Sequence, residues 1–383
     1  MLALFSLGPQ ALLACGYPPA EAPTRLAAIS TERVPSSADW PALIDLADAS
    51  GLLPLFARTL SQCPPGTAPP DVWADLKART AAKTMRSLGM AGELARILRR
   101  FEAAGLTPLA FKGPTLAHLL YGNLALRDST DLDLFVPQAQ LAAALDLLAG
   151  DGYRKKTPGS QPWLTGACEV TLQRDNPACE VDLHWQFSPP YFLPPDPFRA
   201  LHRSTILRAQ GLTARTLCPQ DLLLYLCLHA AREGWPLRSV CDVAALTRYP
   251  SLDWDDALRE ARLWNCRRPL AIGLHLASTL CGASLPREVR TAIDRDSTAA
   301  SLAASLAVDL CDDSHPSQGL PAALLHFRTI EGIRPRLRYL GLRTFQPNAL
   351  DADFLPLPKS LASAYYLLRP LRIAAIALGA LRR

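Results

Sequence analysis

The feature that most constrains this chain is the segment Asp131-Leu132-Asp133-Leu134-Phe135, in which acidic and apolar residues alternate shortly before Pro137. Alternation of this kind predicts a β-strand, and side chains at positions i and i+2 of a strand point to the same face. Asp131 and Asp133 would then lie side by side, and two neighbouring carboxylates repel each other unless a cation lies between them. Mg²⁺ prefers carboxylate oxygens together with the oxygens of a phosphate. The segment therefore predicts a metal–nucleotide site.

The residues before this strand predict a phosphate-binding turn. Leu109-Ala110-Phe111 is typical of the end of a buried strand, and Thr115–Tyr121 has leucines at helical spacing. Between them stands Lys112-Gly113-Pro114, where glycine permits close approach to a ligand and proline suits the first helical position. The free N–H groups of a helix N-terminus favour a phosphate, and Lys112 adds a positive charge. Such a turn is weak evidence alone, but an Asp-Leu-Asp strand at this distance makes it far more specific.

A third acidic residue is expected from the segment Cys179–Trp185. In a strand, Glu180, Asp182 and His184 would share one face. An acid facing Asp131 and Asp133 would complete a three-carboxylate cluster, which holds metal ions in phosphoryl-transfer chemistry. Periodicity alone does not separate Asp182 from Glu180. Taken by itself, the segment is more typical of an amphipathic edge strand with a solvated acidic face.

Together these residues carry a family resemblance. Over roughly residues 80 to 285 the chain resembles the uncharacterised nucleotidyltransferase family, a branch of the DNA polymerase β-like nucleotidyltransferase superfamily. The resemblance rests on Phe111-Lys112-Gly113, Tyr121-Gly122, Arg127, Asp131-Leu132-Asp133-Leu134 and Val181-Asp182-Leu183-His184-Trp185, and on the later landmarks Leu228–Ala231, Trp235 and Cys241-Asp242-Val243.

The resemblance implies an α+β fold: a small nucleotidyltransferase-like mixed sheet with helices, flanked by helical N-terminal and C-terminal regions. It implies transfer of an NMP group from an NTP co-substrate, with Mg²⁺ or alternatively Mn²⁺ as cofactor. The acid before Leu-His-Trp is the family's third carboxylate, which favours Asp182 over Glu180. The implied catalytic and metal-binding residues are Asp131, Asp133 and Asp182, and the implied nucleotide-binding residues are Lys112, Gly113 and Arg127.

The chain departs from the superfamily at the phosphate-binding turn. It has Lys112-Gly113 where the superfamily has Gly-Ser, as members of this branch do, so a hydroxyl expected near the phosphates is missing. An alternative is therefore a nucleotidyltransferase-like module that binds nucleotides or proteins without turnover.

Three regions are expected along the chain. Residues 1–104 form a helical N-terminal region, residues 105–190 the nucleotidyltransferase-like α/β core, and residues 191–383 a helical C-terminal region. Helices are predicted at 20–61, 71–104, 138–148, 220–233, 240–248, 254–264, 269–281 and 287–310, and an antiparallel strand pair at 170–172 and 180–185.

Composition limits the function classes and partners. With 383 residues, of which 49% are hydrophobic and 20% charged, the chain is globular. A net charge of +5 without interleaved basic and aromatic residues gives no clear nucleic-acid signal. The ten cysteines include no Cys-x-x-Cys pair, which argues against zinc and disulfides and favours a reducing cytoplasm.

Two apolar terminal segments bear on the compartment. Leu12–Gly16 resembles a lipoprotein cleavage site, but residues 1–15 contain no Lys or Arg. Leu371–Leu381 is shorter than the ~20 residues that span a bilayer. We interpret it as a terminal helix packed on the body, with an interfacial membrane helix as the alternative. No clear membrane signal results.

Several other residues are weaker candidates. Arg127 would contact a phosphate, pair with a site acid or lie in a surface loop, and His184 would be a base, a metal ligand or a structural residue. His229 and Asp242 are predicted to form a buried polar pair. A basic run is typical of a solvated face, although it would also suit an anionic partner or a peptide; it comprises Arg328, Arg334, Arg336, Arg338 and Arg343.

The acceptor is expected where the α/β core meets the helices at 220–248, because binding pockets concentrate at domain junctions. Arg232 and Arg238 are the expected contacts. The basic balance favours a peptide, a protein or an anionic small molecule over a cationic acceptor.

Overall fold

The structure is a computed structural model that describes residues 7–32, 39–156, 168–189, 192, 195–209, 211–311 and 322–377. Its main sheet has five strands in the order β1-β2-β5-β4-β3. Strands β2 and β5 run parallel and the other neighbouring strands run antiparallel, so the sheet is mixed. The strands are β1 (Leu109–Ala110), β2 (Leu132–Phe135), β3 (Arg154–Lys155), β4 (Glu169–Asp175) and β5 (Ala178–His184). The predicted α+β fold is confirmed.

Helices precede, interrupt and follow this sheet. The first set is α1 (Leu7–Ala14), α2 (Ala22–Glu32), α3 (Asp39–Ala49), α4 (Leu53–Ser61) and α5 (Pro70–Ala103), and within the core lie α6 (Gly113–Tyr121) and α7 (Leu141–Gly150). The later helices are α8 (Pro197–His202), α9 (Pro219–Glu233), α10 (Leu237–Leu246), α11 (Trp254–Leu263), α12 (Arg267–Cys281), α13 (Arg287–Asp294), α14 (Ser297–Cys311), α15 (Ala322–Thr329), α16 (Ile333–Phe345), α17 (Ala349–Phe354) and α18 (Tyr365–Ala377).

The register of β2 and β5 positions the site. Asp133 lies opposite Asp182, and the neighbouring apolar pairs are Leu132 with Val181 and Leu134 with Leu183. All four apolar side chains are buried in one core with α5 and α7. Because neighbouring residues on a strand point to opposite faces, burial of these residues turns both aspartates to the other face.

Aromatic side chains join that other face to the later helices. The Phe187 ring stacks on Phe135 with centroids 4.9 Å apart and on Trp264 at 6.4 Å, while Phe111 meets Tyr225 of α9 edge to face at 4.9 Å. These residues belong to one large core that extends through α9 to α14. Helix α9 is thereby held beside the start of α6. The division at residues 104 and 190 stays a prediction.

The structure differs from the predicted secondary structure in three stretches. Residues 205–216 form a hairpin of β6 (Thr205–Ala209) and β7 (Leu212–Thr216) that was not predicted. The stretch 287–310 is two helices, because the Asp296 carboxylate accepts a bond from Ala299 N at 3.0 Å and so begins α14. Residues 20–61 contain three helices, and Gly51, with φ of +68°, follows the end of α3.

The terminal segments are partly described. Leu12 and Cys15 are buried in the large core. At the other end, Leu371 is exposed, and the expected helix beyond Ala377 lies outside the described residues. Within the described part of the chain, each helix is too short or too polar to cross a bilayer.

Candidate functional site

The acidic cluster forms where β2 and β5 lie side by side. Among the described residues, Asp133, Asp182 and His184 are the group whose ligand atoms all lie within 4.8 Å of one another. Asp131 lies outside this group, one residue before β2 begins at Leu132. The two strands thus bring together two of the three predicted carboxylates, and a metal contact from Asp131 stays a prediction.

The predicted turn lies against the same strand. Helix α6 begins at Gly113, whose φ is +57°, and a Cβ placed there would stand 3.3 Å from the Asp131 carbonyl oxygen. Glycine is therefore needed both for the backbone conformation and for the close approach of α6 to β2. The nearby hydroxyl of Thr115 donates to the Lys112 carbonyl at 2.5 Å. That hydroxyl is committed to the turn, so it does not replace the missing serine.

Lys112 brings its ammonium group into the cluster. Its Nζ lies 3.2 Å from Asp133 Oδ1, 2.7 Å from His229 Nε2 and 5.5 Å from the centroid of the Tyr225 ring. Burial opposes the charge, but the Asp133 carboxylate, Tyr225 and Glu233 together outweigh it and raise the pKa of Lys112. Burial and then Lys112 lower the pKa of His229 to about 4, so His229 is the neutral acceptor in this contact.

The three aspartates differ in their tendency to ionise. Burial and then the charge of Asp133 raise the pKa of Asp131 to about 6. Burial also raises the pKa of Asp182, against a hydrogen bond with Thr171. Burial acts in the same direction at Asp133, but Lys112 and His184 together outweigh it and hold the pKa of Asp133 well below its usual range. The neighbouring cations thus outweigh burial at Asp133, whereas at Asp131 and Asp182 they do not.

His184 connects β2, β5 and β4. Its Nε2 lies 3.2 Å from Asp133 Oδ1 and its Nδ1 lies 2.9 Å from Glu169 Oε2. Burial favours the neutral ring, but hydrogen bonds with both carboxylates outweigh it and raise the pKa of His184 to about 9. A protonated ring has no lone pair for a metal. His184 therefore holds Asp133 in place in this arrangement; a metal would displace one ring proton, so a metal contact of His184 stays a prediction.

The carboxylate oxygens of the cluster fit a divalent cation. Asp182 Oδ1 is buried and accepts no hydrogen bond from any described residue. A buried carboxylate oxygen without a partner is costly. A cation beside it would supply that partner and would also relieve the repulsion between Asp182, Asp133 and Asp131. Oxygen donors of this kind suit Mg²⁺ or Mn²⁺.

Arg127 is buried and does not lie in a surface loop. Its Nε donates to Asp242 Oδ2 at 2.9 Å, and the Tyr121 hydroxyl donates to Asp242 Oδ1 at 2.8 Å. The predicted pair of His229 with Asp242 is wrong, because His229 contacts Lys112 and lies 3.0 Å from Glu233 Oε1. Arg127 and Asp242 tie the loop before β2 to α10. A nucleotide contact of Arg127 stays a prediction.

The other predicted residues lie around the cluster. Lys156 Nζ lies 2.6 Å from Glu180 Oε2. This ion pair holds the Glu180 carboxylate at the partly exposed side of β5. Half-buried Arg238 donates to the Asp128 carbonyl at 3.1 Å, and half-buried Arg232 lies 3.6 Å from Glu233 Oε1. The choice of Asp182 over Glu180 and the acceptor contacts of both arginines stay predictions.

Sequence reasoning missed Glu169. Its position was detectable from the predicted strand at 170–172, which pairs with the strand that ends at His184. Extending the first strand by one residue towards the N-terminus brings in residue 169. With that residue included, Glu169 pairs with His184.

These features agree with the comparison with known families. The model of the family described as uncharacterised nucleotidyltransferase matches residues 36–282, well over half of the chain. The chain belongs to this family. No curated protein matches it. The match begins at residue 36, before the predicted resemblance, which starts at about residue 80.

Proposed function

We propose that the chain is a divalent-metal-dependent enzyme that transfers an NMP group from an NTP to an acceptor and releases pyrophosphate. The observation that carries this proposal is the pairing of Asp133 with Asp182 on parallel strands, with Lys112 3.2 Å from Asp133 at the N-terminus of α6. A phosphate beside this helix end meets free N–H groups and the Lys112 ammonium. The carboxylates behind it suit the cation that accompanies a triphosphate.

Each residue has a distinct task in this proposal. Asp131, Asp133 and Asp182 hold Mg²⁺ or Mn²⁺, which when bound neutralises the triphosphate and the departing pyrophosphate. Lys112 and the first turn of α6 bind the β- and γ-phosphates.

The acceptor hydroxyl attacks the α-phosphorus, and its proton passes to Asp182, whose raised pKa suits a base. The bond from the α-phosphorus to its bridging oxygen breaks as pyrophosphate leaves. His229 and His184 orient Lys112 and Asp133 for these steps.

The acceptor binds between the acidic cluster and helices α9 and α10, with Arg232 and Arg238 as contacts. Both arginines are half-buried. Arg232 lies 3.6 Å from Glu233 Oε1, whereas Arg238 donates to a backbone carbonyl and forms no ion pair among the described residues. A partly buried guanidinium without a carboxylate partner favours an anionic small molecule, a peptide or a protein as acceptor.

A nucleotide-binding module without turnover is the second candidate. It is favoured by the Thr115 hydroxyl, which is held by the Lys112 carbonyl and leaves the turn without a free hydroxyl for the phosphates. Binding of nucleotides with no product from any acceptor would support this candidate.

The test combines a binding assay with a search for turnover. The full chain is titrated with ATP, GTP, CTP and UTP with and without Mg²⁺. It is then incubated with labelled nucleotides and a fractionated cell extract, and released pyrophosphate and nucleotidylated products are measured.

Asp133→Asn should abolish transfer, and because Asp133 is buried beside Lys112 and His184, the folding of this variant is checked by circular dichroism. Asp175→Asn, an exposed acid of the same sheet, should leave transfer unchanged. Full transfer by Asp133→Asn would refute the assignment. A cationic small-molecule product would refute the proposed acceptor class alone.

A further inference from the structure

Helix α16 carries an apolar stripe on its outer side. Ile333 and Leu337 are 68% and 60% exposed, and Leu340 is exposed as well. Positions separated by four and seven residues lie on one side of a helix. Tyr339, in contrast, is buried on another side of the same helix. A surface helix of a globular protein normally turns its apolar stripe inwards, so α16 has the reverse arrangement.

Helix α18, which packs against α16, repeats this arrangement. Leu367 and Leu371, one turn apart, are 73% and 68% exposed. Tyr365 and Arg369, about half a turn away from them, are buried. The C-terminal apolar surface, defined here as Ile333, Leu337, Leu340, Leu367 and Leu371, thus spans two neighbouring helices. Grouped exposed apolar side chains mark interaction sites more often than isolated ones do.

The charge around this surface is strongly positive. Residues 322–377 contain eight Lys or Arg and three Asp or Glu, so this segment alone has the net charge of +5 that the whole chain has. One of its acids, Asp351, is fully buried and forms two ion pairs. Its Oδ2 lies 2.9 Å from Arg369 Nη1, and its Oδ1 lies 2.8 Å from Arg372 Nε. Arg334 and Arg338 are exposed next to the stripe of α16. An anionic partner is therefore favoured, and a second copy of the same positive surface is disfavoured.

We propose that the C-terminal apolar surface binds the surface of an anionic lipid bilayer. The leucine and isoleucine side chains enter the boundary between headgroups and acyl chains, and Arg334 and Arg338 contact lipid phosphates. Apolar side chains flanked by arginines are the arrangement that interfacial helices use, and neither helix needs to cross the bilayer. This surface follows the last residue of the family match, residue 282, and the proposal does not rest on nucleotidyl transfer.

The test is sedimentation of the full chain with vesicles of phosphatidylglycerol and phosphatidylcholine, compared with vesicles of phosphatidylcholine alone. The chain should bind the anionic vesicles, and less so as salt is added. The double substitution Leu337→Glu/Leu371→Glu should lower the partition coefficient on the order of tenfold or more. Leu263→Glu, an equally exposed leucine on α11, should leave it unchanged.

A second variant separates charge from apolar contact. Arg334→Gln/Arg338→Gln keeps the apolar surface and should weaken binding to anionic vesicles by about fivefold per arginine. Binding to neither vesicle, or unchanged binding by the double-leucine variant, would overturn the proposal. A concentration-dependent dimer that Leu337→Glu/Leu371→Glu abolishes would identify a second copy as the occupant and would overturn it too.

Discussion

The contact between Arg127 and Asp242 should dominate the stability of the junction between the sheet and α10. Both side chains are at least nine-tenths buried, and their Nε and Oδ2 atoms lie 2.9 Å apart. Breaking a buried ion pair by removing one partner costs about 3–5 kcal/mol, because the other charge stays buried without compensation. Asp242→Asn keeps the shape of the side chain and should therefore lower the free energy of unfolding by about 3–5 kcal/mol.

The magnitude is tested by a double-mutant cycle. Arg127→Met alone should cost a similar amount, since it leaves the Asp242 carboxylate with only the Tyr121 hydroxyl as a partner. The double variant Arg127→Met/Asp242→Asn has no unpaired charge. Its loss should be smaller than the sum of the single losses by about 2 kcal/mol or more. Urea denaturation followed by circular dichroism measures all four proteins.

Additive losses would refute this reasoning, because they would mean that the two charges do not compensate each other. The same double variant also tests the predicted nucleotide contact of Arg127. If nucleotide affinity in the stable double variant equals that of the unmodified protein, Arg127 does not contact the nucleotide.

Three further predictions concern the same half of the molecule. Gly113→Ala should weaken nucleotide binding more than tenfold, because its Cβ would meet the Asp131 carbonyl at 3.3 Å in a backbone with positive φ, and isothermal calorimetry measures the change. Glu169→Gln removes one of the two carboxylates that hold His184, so Mg²⁺ affinity should fall several-fold while Glu169→Asp restores part of it; equal affinity in both variants would contradict this. Burial opposes ionisation of Glu93, but its hydrogen bonds with arginine and tyrosine lower its pKa from 4.5 to about 2. A lowered carboxylate pKa stabilises the fold above the unfolded-state value, so the stability difference between the unmodified protein and Glu93→Gln should shrink as the pH falls from 4.5 towards 2.

The parts of the site that could be predicted are those encoded within single segments. Alternation alone put Asp133 on the face opposite the buried core, and a polar–apolar repeat did the same for Asp182. For Asp131, which precedes β2, the shared face stays a prediction. The turn at Lys112 was predictable because glycine, proline and a following leucine pattern act over a few residues. Pairing of β2 with β5 needed the family resemblance, since no local pattern fixes which strands become neighbours.

The parts that could not be predicted are contacts between distant segments. Lys112 and His229 are separated by 117 positions, and Arg127 and Asp242 by 115. The alternative pairing of His229 with Asp242 was equally consistent with their residue types. Only the packing of α9 and α10 on the sheet, through Phe111, Tyr225 and Phe187, decides which partner each side chain meets.

The distribution of charge in the cluster also depends on these distant contacts. Lys112 and His184 compensate Asp133, so this acid is charged before any cation binds. At Asp131 and Asp182, burial together with the charge of Asp133 outweighs the attraction of Lys112, Arg127 and His184 and disfavours the charged forms. Binding of a divalent cation should therefore ionise both acids and release protons, whereas Asp133 releases none. At pH 6, close to the pKa of Asp131, the number of protons released on Mg²⁺ binding should fall in Asp131→Asn, as measured by calorimetry in buffers of different ionisation enthalpy. An unchanged number would show that Asp131 does not take part in the metal site.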